Sequence, residues 1–202
     1  MGTLSIVEAA EVARIKGSTT RELLLWYERK HGAGASVPLV EGLPPDLARL
    51  VDTSRPALGF LASAWYPVTL THHLLDRALM DRTDEGRATA REAVRDITPR
   101  MIRGVYKVLF QAVASPELYA RHIGRQWRRL HTTGDRTLVL RAPGEALSTV
   151  ASWGGHHPFL CWMTIYTMES LFEAMRYKSV SVERIRCVSH GAADCATILR
   201  YR

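Results

Sequence analysis

A chain of 202 residues, 47% of them apolar and 23% charged, is long enough to bury a core and too apolar to be disordered. Its formal charge of +7 favours acidic partners, yet the arginines are scattered and no nucleic-acid motif accompanies them, so no nucleic-acid binding is expected. No apolar run reaches the roughly 18 to 20 residues of a membrane span. The N-terminus lacks a signal peptide, and three cysteines make an odd number for a secreted disulfide framework, so a cytoplasmic protein is expected.

Residues 6–16 alternate weakly and predict a first strand ending at Gly17. Thr19 followed by Glu22 has the form of a capping box, opening a helix that carries Leu23 to Tyr27 and that Gly32 is placed to stop. Glycine and proline make a loop of the following stretch, from which Pro45 and Asp46 open a short helix through Val51. Trp65, Tyr66 and Pro67 then lead into a helix with Leu70, Leu74, Leu75 and Leu79 at helical spacing. Two further helices, 85–96 and 98–113, are divided at Thr98 and Pro99.

Ser115 and Pro116 cap and start a helix reaching His131, on which Arg121, Arg125, Arg128 and Arg129 share a face. After Gly134 the period switches to two, so 136–142 and 146–153 read as an antiparallel pair. Pro158 to Arg176 is apolar on nearly every side and predicts a buried helix. Tyr177 to Arg202 reads as a hairpin whose turn, His190 to Asp194, contains Gly191 for positive φ. The order predicts an α+β fold, several helices packed on one side of a C-terminal antiparallel sheet, in a single domain over 1–202. Its helical part spans 18–131, and its sheet and buried helix 132–202.

No nucleophile elbow, zinc-protease helix, P-loop or dinucleotide fingerprint is present, so no enzyme is expected. His72–His73 and His156–His157 are adjacent pairs; neighbours on a helix diverge by about 100°, so neither pair is a chelate. Each is expected to give one buried, hydrogen-bonded histidine and one exposed. Cys161, Cys187 and Cys195 are all the cysteines. Thiolates at a helix start and on two paired strands can converge, which makes them candidate zinc ligands. The competing reading is three small buried apolar residues. His156, His157, His190 and Asp194 stand open as a fourth ligand, while Arg184 and Arg186 beside Cys187 oppose a cation. Cys187 and Cys195 also admit a redox reading.

The order of helix, strand, Cys187, glycine turn, Cys195 and strand over residues 158–202 resembles the 4-vinyl reductase domain. The strand before Gly17, the run Ser63 to Pro67 and the helix opening at Ser115 to Tyr119 extend the likeness to uncharacterised bacterial proteins related to that domain. The wider superfamily also contains haem nitric-oxide sensors and core subunits of the TRAPP tethering complex. In phenol-responsive activators carrying the domain, zinc is held by three cysteines and a glutamate. The resemblance therefore implies Cys161, Cys187 and Cys195 as metal ligands, although Arg184 stands at the glutamate position.

It further implies a regulatory domain that senses a small apolar ligand and signals to a protein partner, as a homodimer or as a subunit of a larger assembly. Candidate pocket residues are Trp65, Tyr106, Phe110, Trp127, Trp162 and Tyr166. The alternative is a TRAPP-subunit-like adaptor without a ligand. Tyr177 to Ser179 begin like the haem-propionate motif of the nitric-oxide sensors, but Ser181 replaces its arginine and no histidine has an axial ligand's context, so no haem is expected. Arg121, Arg125 and Arg128 are the candidate partner contact.

Overall fold

The computed structural model describes residues 13–79, 85–101 and 114–202. Its elements are β1 (Arg14–Lys16), α1 (Gly17–His31), α2 (Pro45–Ala48), β2 (Trp65–Pro67), α3 (Val68–Ala78), α4 (Glu85–Met101) and α5 (Pro116–Leu130). They continue with β3 (Asp135–Ala142), β4 (Glu145–Ala151), α6 (Pro158–Ala174), β5 (Val180–Arg186) and β6 (Asp194–Tyr201). The fold is α+β, with an antiparallel sheet ordered β3-β4-β6-β5 and a separate two-stranded ribbon of β1 and β2.

Alternation along the strands sorts the sheet into two faces. Leu138 of β3, Ala146, Ser148 and Val150 of β4, and Cys195, Thr197, Leu199 and Tyr201 of β6 are buried on the inner face. Helix α6 lies across it, with Met168 and Phe172 fully buried against Leu138, Ala146 and Leu199. Each large side chain so buried contributes about 1.5–3 kcal/mol. The other side of α6 meets α4, where Ala90 and Ala93 let the helices approach and Val94 and Ile97 join Phe159, Ile165 and Tyr166 in one core. Covered on both sides, α6 has little polar face to keep, which accounts for its largely apolar sequence, and its buried Glu169 pairs with Arg91 of α4.

A second core, of Leu24, Leu39, Leu58, Phe60, Leu70 and Leu74, sits among α1, α3 and the intervening loop. The halves are joined where Ile15 of β1 bridges His131, just beyond α5.

The capping box expected at Thr19 is corrected. Helix α1 begins at Gly17 with no side-chain cap, because the amides of Gly17 and Ser18 donate to the carbonyls of Ala64 and Ala62. A Cβ at Gly17 would meet the Leu61 carbonyl oxygen at 2.2 Å, so only glycine fits that contact. The break expected at Thr98 and Pro99 is also absent: α4 runs through Pro99 to Met101. Ser115 caps α5 as expected, its hydroxyl accepting from Leu118 N at 3.2 Å. Of the strand expected over 6–16, Arg14–Lys16 is described; residues 6–12 and 102–113 lie outside the described residues.

Candidate metal centre

Three short segments bring the cysteines together. Cys161 sits in the first turn of α6, its N–H donating to His157 O, and His157 caps the helix by accepting from Phe159 N at 3.2 Å. Before it, residues 152–157 form a tight loop: Gly154 N donates to Ser152 O and His156 N to Trp153 O. A Cβ at Gly155 would meet Val68 Cγ2 at 3.1 Å, which shows how closely the loop presses on α3. The β5–β6 turn supplies the others. Cys187 starts a 3-10 turn that Gly191 closes at φ 83°, and Val188 N–H donates to Cys195 Sγ at 3.4 Å.

The result is a compact donor set. Cys187 Sγ lies 3.7 Å from Cys161 Sγ, 3.4 Å from Cys195 Sγ and 3.3 Å from His156 Nε2. One ligand atom from each of His156, Cys161, Cys187 and Cys195 falls within 4.8 Å of the rest. A tetrahedral ion with metal–sulfur bonds of about 2.3 Å has edges of about 3.8 Å, close to these separations. The three thiols are buried and His156 is half-buried.

Electrostatics single out Cys187. Hydrogen bonds from Cys161 and Cys195, with those from His156 and Ser189, outweigh burial and favour its thiolate. The same contacts hold Cys161 in its thiol form, since its hydrogen bonds to Cys187 and Cys195 and its burial both push its pKa up. Burial disfavours the imidazolium of His156, but bonds to Cys187 and Cys195 and their charge prevail and raise its pKa to about 9.

Among the four residues open as a fourth ligand, only His156 joins the cysteines. His190 is exposed, Asp194 pairs with Arg186, and His157 Nε2 lies 3.3 Å from Asp76 Oδ1. The arginines expected to repel a cation are engaged elsewhere, Arg186 by Asp194 and Arg184 over the Trp162 ring at 3.9 Å. The histidine pairs also behave differently from expectation, because all four rings find partners. His72 Nε2 meets Gly155 O at 3.2 Å and His73 Nε2 meets Glu41 O at 3.1 Å.

The aromatic candidates are dispersed. Trp65 lies under the Lys16 ammonium, Trp127 stacks on His131 at 4.0 Å, and Trp162 stacks on Tyr166 at 5.8 Å. Tyr106 and Phe110 lie outside the described residues. None of the four described lines the apolar cavity that the structure contains, about 20 Å³ between α1, α3 and α6, walled by Leu23, Trp26, Leu74, Leu75 and Phe159. The aromatic residues there, Trp26, Tyr27 and Phe159, sit in continuous apolar runs that mark helices rather than a cavity. Arg121, Arg125 and Arg128 are exposed on α5, and Arg128 Nη1 stands 3.8 Å from Asp135 Oδ1.

Fold and donor set together define an α+β domain with a cysteine–histidine cluster in its core. An H-NOX protein from S. oneidensis in its Fe(II)NO state superposes with a TM-score of 0.65 at 11% identity, covering 93% of this chain and 99% of the other. A K. algicida H-NOX mutant in its Fe(II) unliganded state gives 0.60 at 14% identity, covering 93% and 97%. A structure described by haem redox potential and porphyrin distortion gives 0.57 at 9% identity, covering 92% and 99%. No protein-family profile matches the chain, and no curated protein matches it significantly. These likenesses establish the fold.

They also correct the cofactor expectation. Haem was set aside because Ser181 replaces the motif's arginine and no histidine has an axial ligand's context, whereas the architecture is shared over nine-tenths of the chain with proteins whose descriptions name Fe(II) or haem. Among the described residues no helix is long and apolar enough to cross a membrane.

Proposed function

We propose that this chain is a non-enzymatic, ligand-sensing regulatory domain, related to the 4-vinyl reductase domain, which holds one divalent metal ion at His156, Cys161, Cys187 and Cys195 and signals to a protein partner. The observation that carries this reading is the convergence of every cysteine with one histidine, from three separate segments, at tetrahedral spacing. Four protein donors close the coordination sphere, so the ion ties α6 to the hairpin rather than binding substrate.

The surroundings support a sensing role. Gly155 O, one residue before the ligand His156, bonds His72 of α3, and His157, one residue after it, meets Asp76 of α3. Helix α3 also lines the apolar cavity of about 20 Å³. A ligand entering there bears on the helix that clamps the metal loop, and a change at the ion bears on the cavity wall. That volume admits an apolar molecule of one or two heavy atoms, since a water alone needs about 10–15 Å³.

Two cavities lined by described residues, about 20 and 10 Å³, lie below the roughly 300–1,000 Å³ of a small-molecule site, and no step here runs through a haem. The nearly filled core also favours a second reading, an adaptor working through surface contacts alone.

Native mass spectrometry of the purified chain, repeated after denaturation and paired with an absorption spectrum, tests the proposal. One ion per chain, absent from Cys187→Ala, is the expected result. A bound haem overturns the metal-centred reading, and a chain with neither ion nor small molecule leaves the adaptor.

A further inference from the structure

Among the described residues, the inner face of the sheet carries a charge with no visible counter-charge. Arg136 of β3 is only 8% exposed. Its Nη2 donates to Thr164 O at 3.4 Å, while its Nε has no partner among the described residues. The neighbouring Trp127 ring, His131 and Tyr119 bring no negative charge. A buried guanidinium in such a place is strongly disfavoured unless something anionic stands near it. Trp153, also buried, has an indole N–H that likewise lacks an acceptor.

Both residues line one cavity of about 10 Å³, and the same cavity is walled by Cys161 and Cys195. The sheet explains why. Arg136, Val150 and Cys195 are successive cross-strand partners with side chains on one face. Two strand spacings, roughly 10 Å, separate the outer backbones, a gap that an arginine side chain largely spans. On the opposite wall, Thr164 lies three residues after Cys161 and therefore on the same face of α6. The guanidinium thus approaches the cluster from the strand and from the helix at once.

Three thiolates and a neutral imidazole around a divalent cation carry one net negative charge. We infer that Arg136 is the buried counter-charge of this centre, and that Arg136 Nε and Trp153 Nε1 are the outer-shell donors available to its sulfurs across the shared cavity. The inference rests on the metal reading above. Arg136 is a positioning residue: it touches no metal, and it sets how strongly the cysteines hold one. Removal of outer-shell partners typically weakens metal binding by about 10- to 100-fold.

The test compares wild type, Arg136→Met and Arg136→Lys, each titrated with Zn(II) against a competing chelator and each melted with and without the ion. Arg136→Met is expected to bind Zn(II) at least about tenfold more weakly, while Arg136→Lys, which keeps the charge, recovers most of the loss. Without metal, Arg136→Met should melt no lower than wild type, because it removes an uncompensated buried charge. The metal-induced rise in Tm should shrink in Arg136→Met alone. Wild-type affinity in Arg136→Met, or a fall in metal-free Tm as large as in the metal-loaded protein, overturns the inference while leaving the metal reading intact. A wild type that takes up no Zn(II) overturns both.

Discussion

Around Leu70 the N-terminal helices pack almost nothing but hydrocarbon, whereas around Cys187 the C-terminal half packs three sulfurs, an imidazole and, one cavity away, a guanidinium. The first core is cohesive by itself, since apolar side chains need only be excluded from water. The second buries polar groups whose desolvation must be offset by specific partners. The N-terminal core therefore needs no bound group, whereas on the metal reading proposed above the C-terminal core depends on what occupies its donor set. That difference suits a sensor, in which one half supplies the frame and the other responds.

The sharpest way to break the comparison is to remove the ion proposed for the donor set. With free ion at about 1,000 times its dissociation constant, binding contributes about 4.1 kcal/mol. At 2–4 °C per kcal/mol for a chain of this size, chelation should lower Tm by roughly 8–16 °C. Differential scanning calorimetry with and without chelator measures this, and Cys187→Ala should melt like the chelated protein and ignore the chelator. If both proteins melt together before chelation, the cluster is an ordinary set of buried thiols.

The matching perturbation on the other side is Leu70→Ala. Leu70 is wholly buried, so truncation should cost about 2–5 kcal/mol by lost transfer energy and the cavity left behind. Its signature is independence: Zn(II) affinity should stay at the wild-type value, because additivity holds between sites without shared partners. A parallel loss of metal affinity would show that α3 couples the two cores more tightly than through His72 and Asp76 alone.

The same contrast governs what the sequence could convey. Period-two alternation in residues 136–153 and the cap at Ser115 were legible because they are local rules, read within one segment. The start of α1 was not, because its amides are satisfied by carbonyls of Ala62 and Ala64, more than forty residues away. At the site the three cysteines were visible as residue types, but His156 could not be told from His157, His190 or Asp194. What selects it is the tight loop after β4, which presents it to Cys187 while turning His157 to Asp76. Arg136 read as an ordinary alternating strand residue, and only the cross-strand register reveals that it shares a cavity with Cys195.

The seam between the halves has its own pH signature. Burial lowers the pKa of His131 to about 3, with the Arg136 charge adding to it, and burial with the His157 charge lowers that of His72 to about 4. Both values lie below the unfolded value near 6.5, so as pH falls from there the unfolded chain takes up protons that the folded chain refuses. Stability present above pH 6.5 is then lost, by about 1.4 kcal/mol per unit and per histidine, until each folded pKa is reached. Urea titrations between pH 7 and 5 should show this slope, and His131→Phe, which retains a ring against Trp127, should remove its share. An unchanged slope in that variant would place the protonation elsewhere.

The smallest effect is expected on α5, where function and stability come apart. Arg121, Arg125 and Arg128 are exposed, and the one ion pair near them among the described residues, Arg128 with Asp135, joins side chains that are 65% and 76% exposed at 3.8 Å. Such pairs contribute about 0–1 kcal/mol, because solvent screens the attraction and ordering two long side chains costs entropy. Replacing all three arginines by glutamate should thus leave Tm within about 2 °C and Zn(II) affinity at the wild-type value. The triple charge reversal should nonetheless abolish capture of any partner that docks on this face through acidic groups, since like charges then oppose encounter. Tm and partner capture measured on one preparation separate the two roles: unchanged capture removes the face as a contact, and a large fall in Tm shows that the arginines brace α5 against the sheet instead.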